Sequence, residues 1–234
     1  MSENNSISMN IIELDQDTRS YFAKIFQWMG IALGISGLVA WQVSQMPQIV
    51  EIIFSNRLYL YSMFAFELWL VRYLSARIQT MSLITAQIMF VAYSTINGFV
   101  LSSIFLIFQL NSIISVFGVT AAIFLIMWRY WYSTNRDLTK IWSLLFMGLI
   151  GIIIGWLINM FLQNQILDFV VTSVWVIIFV WLTAYDVQKL KKLNTRWDQW
   201  TDNEQKETII GALNLYLDFV NLFIKLLQLF GKRK

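Results

Sequence analysis

Seven long apolar runs divide the chain, at residues 21–46, 52–74, 81–108, 112–132, 141–162, 166–188 and 208–230. Charged residues gather between the runs, and every connection is short except 189–207. A helix rises about 1.5 Å per residue, so about 20 apolar residues cross a hydrocarbon layer about 30 Å thick. Each run is long enough. Outer-membrane strands are shorter and alternate polar with apolar positions, so a barrel is excluded. The pattern predicts an all-α polytopic membrane protein, a seven-transmembrane-helix bundle over residues 21–230. Residues 1–20 are expected to be a short disordered polar tail, and 231–234 a basic tail. The opening MSENNSISMNIIELDQDT lacks the basic start, short apolar core and small-residue cleavage site of a signal peptide. The first run is therefore read as an uncleaved span.

Seven crossings set the termini on opposite sides. Twelve Lys and Arg then fall on the N-terminal side and five on the other, which predicts a cytoplasmic N-terminus by the positive-inside rule. The Lys232-Arg233-Lys234 tail opposes that bias. Six crossings with a re-entrant last segment would satisfy it, and such backbone is allowed where it is not lipid-exposed. The 189–207 connection, with Trp197 and Trp200 among mixed charges, reads as a solvated loop with interfacial tryptophans. Gly30 with Gly34, and Gly151 with Gly155, have small-xxx-small spacing, read as close packing within the bundle rather than a dimer face. Trp41, Trp128, Trp131, Trp142 and Trp156 read mostly as lipid or interface anchors.

Composition narrows the chemistry. The chain is 58% hydrophobic and 13% charged, as a membrane bundle requires. It has no cysteine and no histidine, which excludes disulfides, thiol catalysis, histidine metal ligands and a histidine pH switch. Proton sensing near neutral pH would have to use carboxylates. The formal charge of +3 follows from the orientation bias and implies no nucleic-acid partner.

Two of those carboxylates fall in apolar surroundings. Asp186 closes the sixth run, in LTAYDVQKLKKL, and Asp218 lies within the seventh, in GALNLYLDFVNLFIKLLQLF. A charge at membrane depth costs roughly 2.5–3.5 kcal/mol on insertion scales, so such residues face a bundle interior or a water path. Asn214, Asp218, Asn221 and Lys225 have the spacing i, i+4, i+7, i+11 and share one helical face. That narrow polar stripe on an apolar helix is expected to face inward. Thr183 on the sixth run, Ser94, Thr95, Asn97, Ser102 and Ser103 on the third, and Glu67, Arg72 and Arg77 on the second are candidate partners; the Ser, Thr and Asn groups read mostly as interhelical hydrogen bonds. Should Asp186 and Asp218 meet, two like charges could not both ionise cheaply, and the pair would share one proton and titrate as a unit. Sharing holds the helices together. Losing the proton drives them apart or attracts a hard cation such as Ca²⁺, and an arginine of the second run could compete for the freed carboxylate. Contact requires the sixth helix to extend past Asp186 or the seventh to start late.

LTAYDVQKLKKL resembles the TAYD-x-QK-[IL]-K signature of the Bax-inhibitor family, the transmembrane Bax-inhibitor-motif proteins. SARIQTMS, INGFVLSSIF, STNRDLTK, LFMGLIG and GALNLYLDFVNLFIKLLQLFG follow bacterial members in order and spacing. The resemblance covers nearly everything after the N-terminal tail. It implies a seven-helix fold with the last helix central, a multi-pass protein of a bacterial inner (plasma) membrane, and a pH-sensitive calcium leak. It also implies that Asp186 and Asp218 form a hydrogen-bonded pair. The family's acid and arginine on the second helix correspond to Glu67 and Arg77, with Arg72 the rival. Trp131 stands where members usually carry a small residue, and Arg129 nearby is unusual.

The expected function is a cation leak with Asp186 and Asp218 as pH sensor and transient Ca²⁺ site. Arg77, Glu67, Asn214, Asn221 and Asn97 are candidate latch or pore-lining residues. No cofactor is expected; the partners are the lipid bilayer, Ca²⁺ and protons, and the state is a monomer or weak oligomer. The alternative is a non-conducting regulator of a membrane protease or of a stress or cell-death pathway, acting through protein partners. An enzyme is not expected: Tyr185-Asp186 imitates half of an intramembrane aspartyl protease, but Leu215-Tyr216-Leu217 stands where Gly-x-Gly is required before Asp218. A proton-coupled transporter would show inverted repeats or broken helices in both halves, and neither is present.

Overall fold

The structure is a computed structural model and describes residues 2–55, 57–133, 139–194 and 202–234. It is helical: α1 (Ser2–Ser44), α2 (Pro47–Ser55), α3 (Arg57–Arg77), a 3₁₀ turn (Ile78–Thr80), α4 (Leu83–Ile107), α5 (Leu110–Ser133), α6 (Thr139–Leu162), α7 (Gln165–Asn194) and α8 (Asp202–Phe230). The helix ends have local causes. Pro47 occupies the first position of α2, where its missing N–H costs nothing, and it disfavours helix at Met46. Ser82 Oγ accepts the Thr85 N–H at 3.2 Å and caps α4. Asn164 Oδ1 accepts the N–H groups of Ile166 and Leu167 at 2.9 and 3.1 Å and caps α7. Before it, Gln163 takes a left-handed φ of 50°, which lets α6 reverse into α7 within two residues.

Among the described residues six helices are long and apolar enough to cross a membrane: Arg19–Ser44, Leu83–Ile107, Leu110–Tyr130, Trp142–Leu162, Gln165–Lys191 and Glu204–Phe230. The second expected span, 52–74, covers the end of the short α2 and most of the 21-residue α3. α3 has the length but carries Glu67, Arg72 and Arg77, which dilute its apolar character. α8 is the most internal span, 67% buried against 11–39% for the others. The large side chains left outside, such as Phe161, Ile166 and Leu68, form apolar surface suited to lipid and not to water. Between helices in lipid there is no hydrophobic drive, so close packing and hydrogen bonds hold the interior.

The chain forms two compact units. One comprises Met1–Leu106 with Lys191–Tyr216, the other Ile107–Leu190 with Leu217–Lys234. The interior of the first contains Tyr21, Phe22, Ile25, Leu74, Phe90, Ile209, Leu213 and Tyr216. In the second, Phe117 and Phe124 meet Phe219 edge-on, with ring centroids 5.2 and 5.7 Å apart, and Phe117 also meets Phe223. A smaller cluster joins Ile152 of α6 to Val171 and Ile178 of α7.

Several expectations change. α1 runs through residues expected to be a disordered tail, since neither glycine nor proline occurs before Gly30 to stop it. The 189–207 connection is largely helix, with α7 reaching Asn194 and α8 starting at Asp202; Arg196, Trp197, Asp198 and Trp200 lie outside the described residues. Gly30, Gly34 and Gly151 have open space where a Cβ would sit, and of the two small-residue pairs only Gly155 packs closely, 3.3 Å from Val171 Cγ2; the tightest contacts lie elsewhere. Those occur at Gly98, against Val39 and the Ser36 carbonyl, at Gly148, against Ile178, and at Gly231. α5 continues as helix past Arg129 to Ser133.

Candidate functional site: a buried aspartate pair

Asp186 sits on α7 eight residues before its end, and Asp218 on α8 sixteen residues after its start. The extension of α7 to Asn194 is the feature that allows them to meet. Their carboxyl groups hydrogen-bond to one another. Two carboxylates have no donor between them, so this contact requires a proton, given by one acid and accepted by the other. Asp218 is 8% exposed, and its Oδ2 has no hydrogen-bond partner among the described residues. A full charge there would find no donor to meet it, and an unpaired buried charge is costly. The next residue, Phe219, packs against the Phe117 and Phe124 rings. Asp186 is partly exposed, with Lys189 acting on it electrostatically one turn along α7. Tyr185 beside it stacks on Trp142, with centroids 4.6 Å apart, which fixes this part of α7 against α6 and gives Trp142 a role beyond that of an interface anchor.

The other candidates are divided between the units, Asn221 and Lys225 sharing the second with the pair and Glu67, Arg72, Arg77, Asn97 and Asn214 belonging to the first. Glu67 belongs to the first unit and is 8% exposed, its Oε1 without a hydrogen-bond partner among the described residues. Tyr93 and Tyr216 lie within its electrostatic reach. Asn97 is buried and donates from Nδ2 to Tyr93 Oη at 3.3 Å. Arg77 is exposed in the last turn of α3, and Arg72 is exposed one turn earlier. The expected inward polar stripe of α8 is only partly covered: Asp218 is buried, Asn214 and Lys225 are half-buried, and Asn221 is exposed. The four share a face, but what covers that face changes along the helix. Lys225 instead places Nζ 5.3 Å from the Trp175 ring centroid and donates to Gln228 Oε1 at 3.1 Å, a cation–π contact with a polar anchor.

The Ser and Thr groups expected to bridge helices mostly bond within their own. Ser94, Thr95 and Thr183 donate to carbonyls four residues back, Ser102 and Ser103 to carbonyls three back. A hydroxyl on a helix finds that acceptor without any neighbour. The interhelical exception was not among the candidates. Ser36 of α1 places Oγ 2.7 Å from the Ser94 carbonyl, 2.9 Å from the Ala32 carbonyl and 2.6 Å from Tyr216 Oη. With one proton on Ser36, a consistent arrangement has Tyr216 donating to Ser36 and Ser36 donating to a carbonyl. Tyr216 is fully buried and meets Phe90 and Tyr93 edge-on.

In a comparison with known sequences, the family described as Inhibitor of apoptosis-promoting Bax1 matches residues 18–234. The chain belongs to the Bax inhibitor family. Similar bacterial members include Inner membrane protein YbhL of Escherichia coli K12, 42% identical over 228 residues and 97% of each chain. A protein of Borreliella burgdorferi is 42% identical over 214 residues, 92% of each chain. One of Rickettsia prowazekii is 36% identical over 221 residues, covering 94% of this chain and 92% of its own. As a Bax inhibitor family member the chain is an integral, multi-pass membrane protein.

Proposed function

We propose that this protein is a pH-sensitive cation leak, with Ca²⁺ as permeant ion, gated by proton sharing between Asp186 and Asp218. The observation that supports it most is the hydrogen bond between the two carboxyls beside a buried Asp218 oxygen that has no hydrogen-bond partner among the described residues. The shared proton ties α7 to α8. Its loss leaves two negative charges in contact, a state relieved by separating the helices or admitting a cation. Two carboxylates offer at most four oxygens, fewer than the roughly six to eight that a resident Ca²⁺ takes, which suits a transient site with water completing the shell. The linkage sign follows: the closed state is held at low pH and lost as pH rises, so flux increases with pH. The freed carboxylates are the proposed transient Ca²⁺ site, and Asn221, three residues beyond Asp218 on α8, is proposed to line the path. The reading involves no enzyme chemistry and no cofactor, and places the N-terminus in the cytoplasm of a bacterial inner membrane.

Ca²⁺ flux into liposomes holding the purified protein, followed from about pH 5 to 8, tests this reading across the range in which a coupled carboxyl pair can titrate. Asp186→Asn and Asp218→Asn each keep a donor at all pH, so the pair stays tied and flux should be low and flat. Well-folded wild type that passes no Ca²⁺ at any pH would sink the leak. The second reading is a non-conducting regulator of a membrane protease or of a stress or cell-death pathway, acting through protein partners; the family description, which names an apoptosis inhibitor, supports its cell-death branch, and an effect of the protein that survives loss of either aspartate would support the reading as a whole.

A further inference from the structure

Residues 231–234, Gly-Lys-Arg-Lys, do not trail freely after α8. The Gln109 N–H donates to the Lys232 carbonyl and the Lys234 N–H to the Ile107 carbonyl, both at 2.9 Å, in an antiparallel bridge between Phe108 and Arg233. Gln109 Nε2 donates to the Arg233 carbonyl at 3.1 Å, and the Lys232 N–H to Ser112 Oγ at 2.8 Å. Gly231 turns the chain into this bridge with its N–H on the Leu227 carbonyl at 2.8 Å, and a Cβ there would overlap that carbonyl oxygen. The turn thus admits only glycine. These bonds hold an extended segment whose three side chains are all cationic and all exposed. Among the described residues no hydrogen bond or ion pair joins those side chains to the protein; the fixation is through the backbone.

The location gives the segment a purpose. Three spans have their ends here, at Ile107, Leu110 and Phe230. Ile107, Leu110 and Phe230 are 48, 52 and 69% exposed. Exposed apolar side chains next to three fixed cations match the boundary between acyl chains and headgroup phosphates. In an extended segment Lys232 and Lys234 point to one side, about 7 Å apart along the chain, a spacing over which two ammonium groups can converge on one phosphate.

We propose that residues 231–234, with the 107–112 segment that pins them, form a docking surface for the phosphate of an anionic phospholipid headgroup. Each cation near an anionic membrane surface is worth about fivefold in affinity, so three together are worth on the order of a hundredfold. The test uses the full chain, purified in detergent and exposed to phosphatidylglycerol or phosphatidylcholine, with bound lipid counted by native mass spectrometry. Wild type should retain phosphatidylglycerol in preference, and K232Q/R233Q/K234Q should lose that preference. Ser112→Ala keeps every charge but loosens the pin, and should weaken retention partially. Melting in phosphatidylcholine alone, equal for all variants, separates lost docking from misfolding. Equal retention of the two lipids by wild type, undiminished preference in the triple variant, or stripping of the lipid by inorganic phosphate at matched ionic strength would each overturn the proposal, the last in favour of a soluble-anion site.

Discussion

Tyr216 and Ser36 form a buried interhelical side-chain hydrogen bond in the first unit, at 2.6 Å with both residues no more than 1% exposed. Their two truncations should differ. Tyr216→Phe removes a donor and leaves Ser36 its carbonyls, a net loss of about 0.5–1.5 kcal/mol. Ser36→Ala strands the Tyr216 hydroxyl in an apolar setting, at about 1–3 kcal/mol. The double variant should cost less than the sum, because removing both partners leaves nothing unsatisfied. Unfolding midpoints in micelles measure all three; strict additivity would show that the contact carries no energy. Neither residue was legible in the sequence, and the reason is physical. A serine or tyrosine in an apolar run has an easy local explanation, and the acceptor that organises this cluster is the Ser94 backbone carbonyl, which has no sequence signal. Asp186 and Asp218 were legible because a carboxylate in such a run has few inexpensive explanations. Which oxygen would be left unpartnered was not, since that depends on what packs beside it.

At the scale of helices, close approach is decided at one glycine more than at the paired ones. A Cβ on Gly98 would lie 2.7 Å from Val39 Cβ and 2.9 Å from the Ser36 carbonyl, so α4 lies nearly against the α1 backbone there. Gly98→Ala forces a backbone shift and should destabilise by about 1–3 kcal/mol. Gly30→Ala and Gly34→Ala add a methyl to open space and should stay within about 0.5 kcal/mol of wild type. Thermal unfolding of the three variants side by side checks the contrast, and equal losses would refute it. Because Ser36 is part of this contact, Gly98→Ala should also disturb the Tyr216 hydrogen bond. Spacing alone points to Gly30 with Gly34 and Gly151 with Gly155; it does not say which face meets a neighbour. The helices themselves were legible from run length, with ends close to expectation where Pro47 or Asn164 supplies a breaker or cap. The errors arose where no breaker stands: α1 continues upstream through 2–20, and α7 continues downstream to Asn194. The second of these is the extension that the aspartate contact needs.

For the whole molecule, the number of crossings turns on α3. By composition it falls short of a membrane span, yet composition counts a charge equally wherever it points. Glu67 is buried within the protein, so it does not present its carboxyl to lipid. Leu58, Tyr59, Tyr61, Phe64, Phe66, Leu68, Trp69 and Tyr73 are all exposed on the same helix, a surface that water would penalise and lipid would accept. At 21 residues α3 measures about 31 Å, enough to cross. Seven crossings are therefore expected, with the N-terminus cytoplasmic and residue 234 on the opposite side. The absence of cysteine from the wild-type chain makes this directly readable with single cysteines and a membrane-impermeant maleimide in intact cells. Gln45→Cys, Gln109→Cys and Lys234→Cys should label from outside, and Gln79→Cys only after lysis. Six crossings predict a different pattern: Gln45→Cys and Gln79→Cys both label, while Gln109→Cys and Lys234→Cys are both protected. The bonds between 107–112 and 232–234 place Gln109 and Lys234 on one side in either case, so the comparison of Gln45 with Gln79 is what decides whether α3 spans.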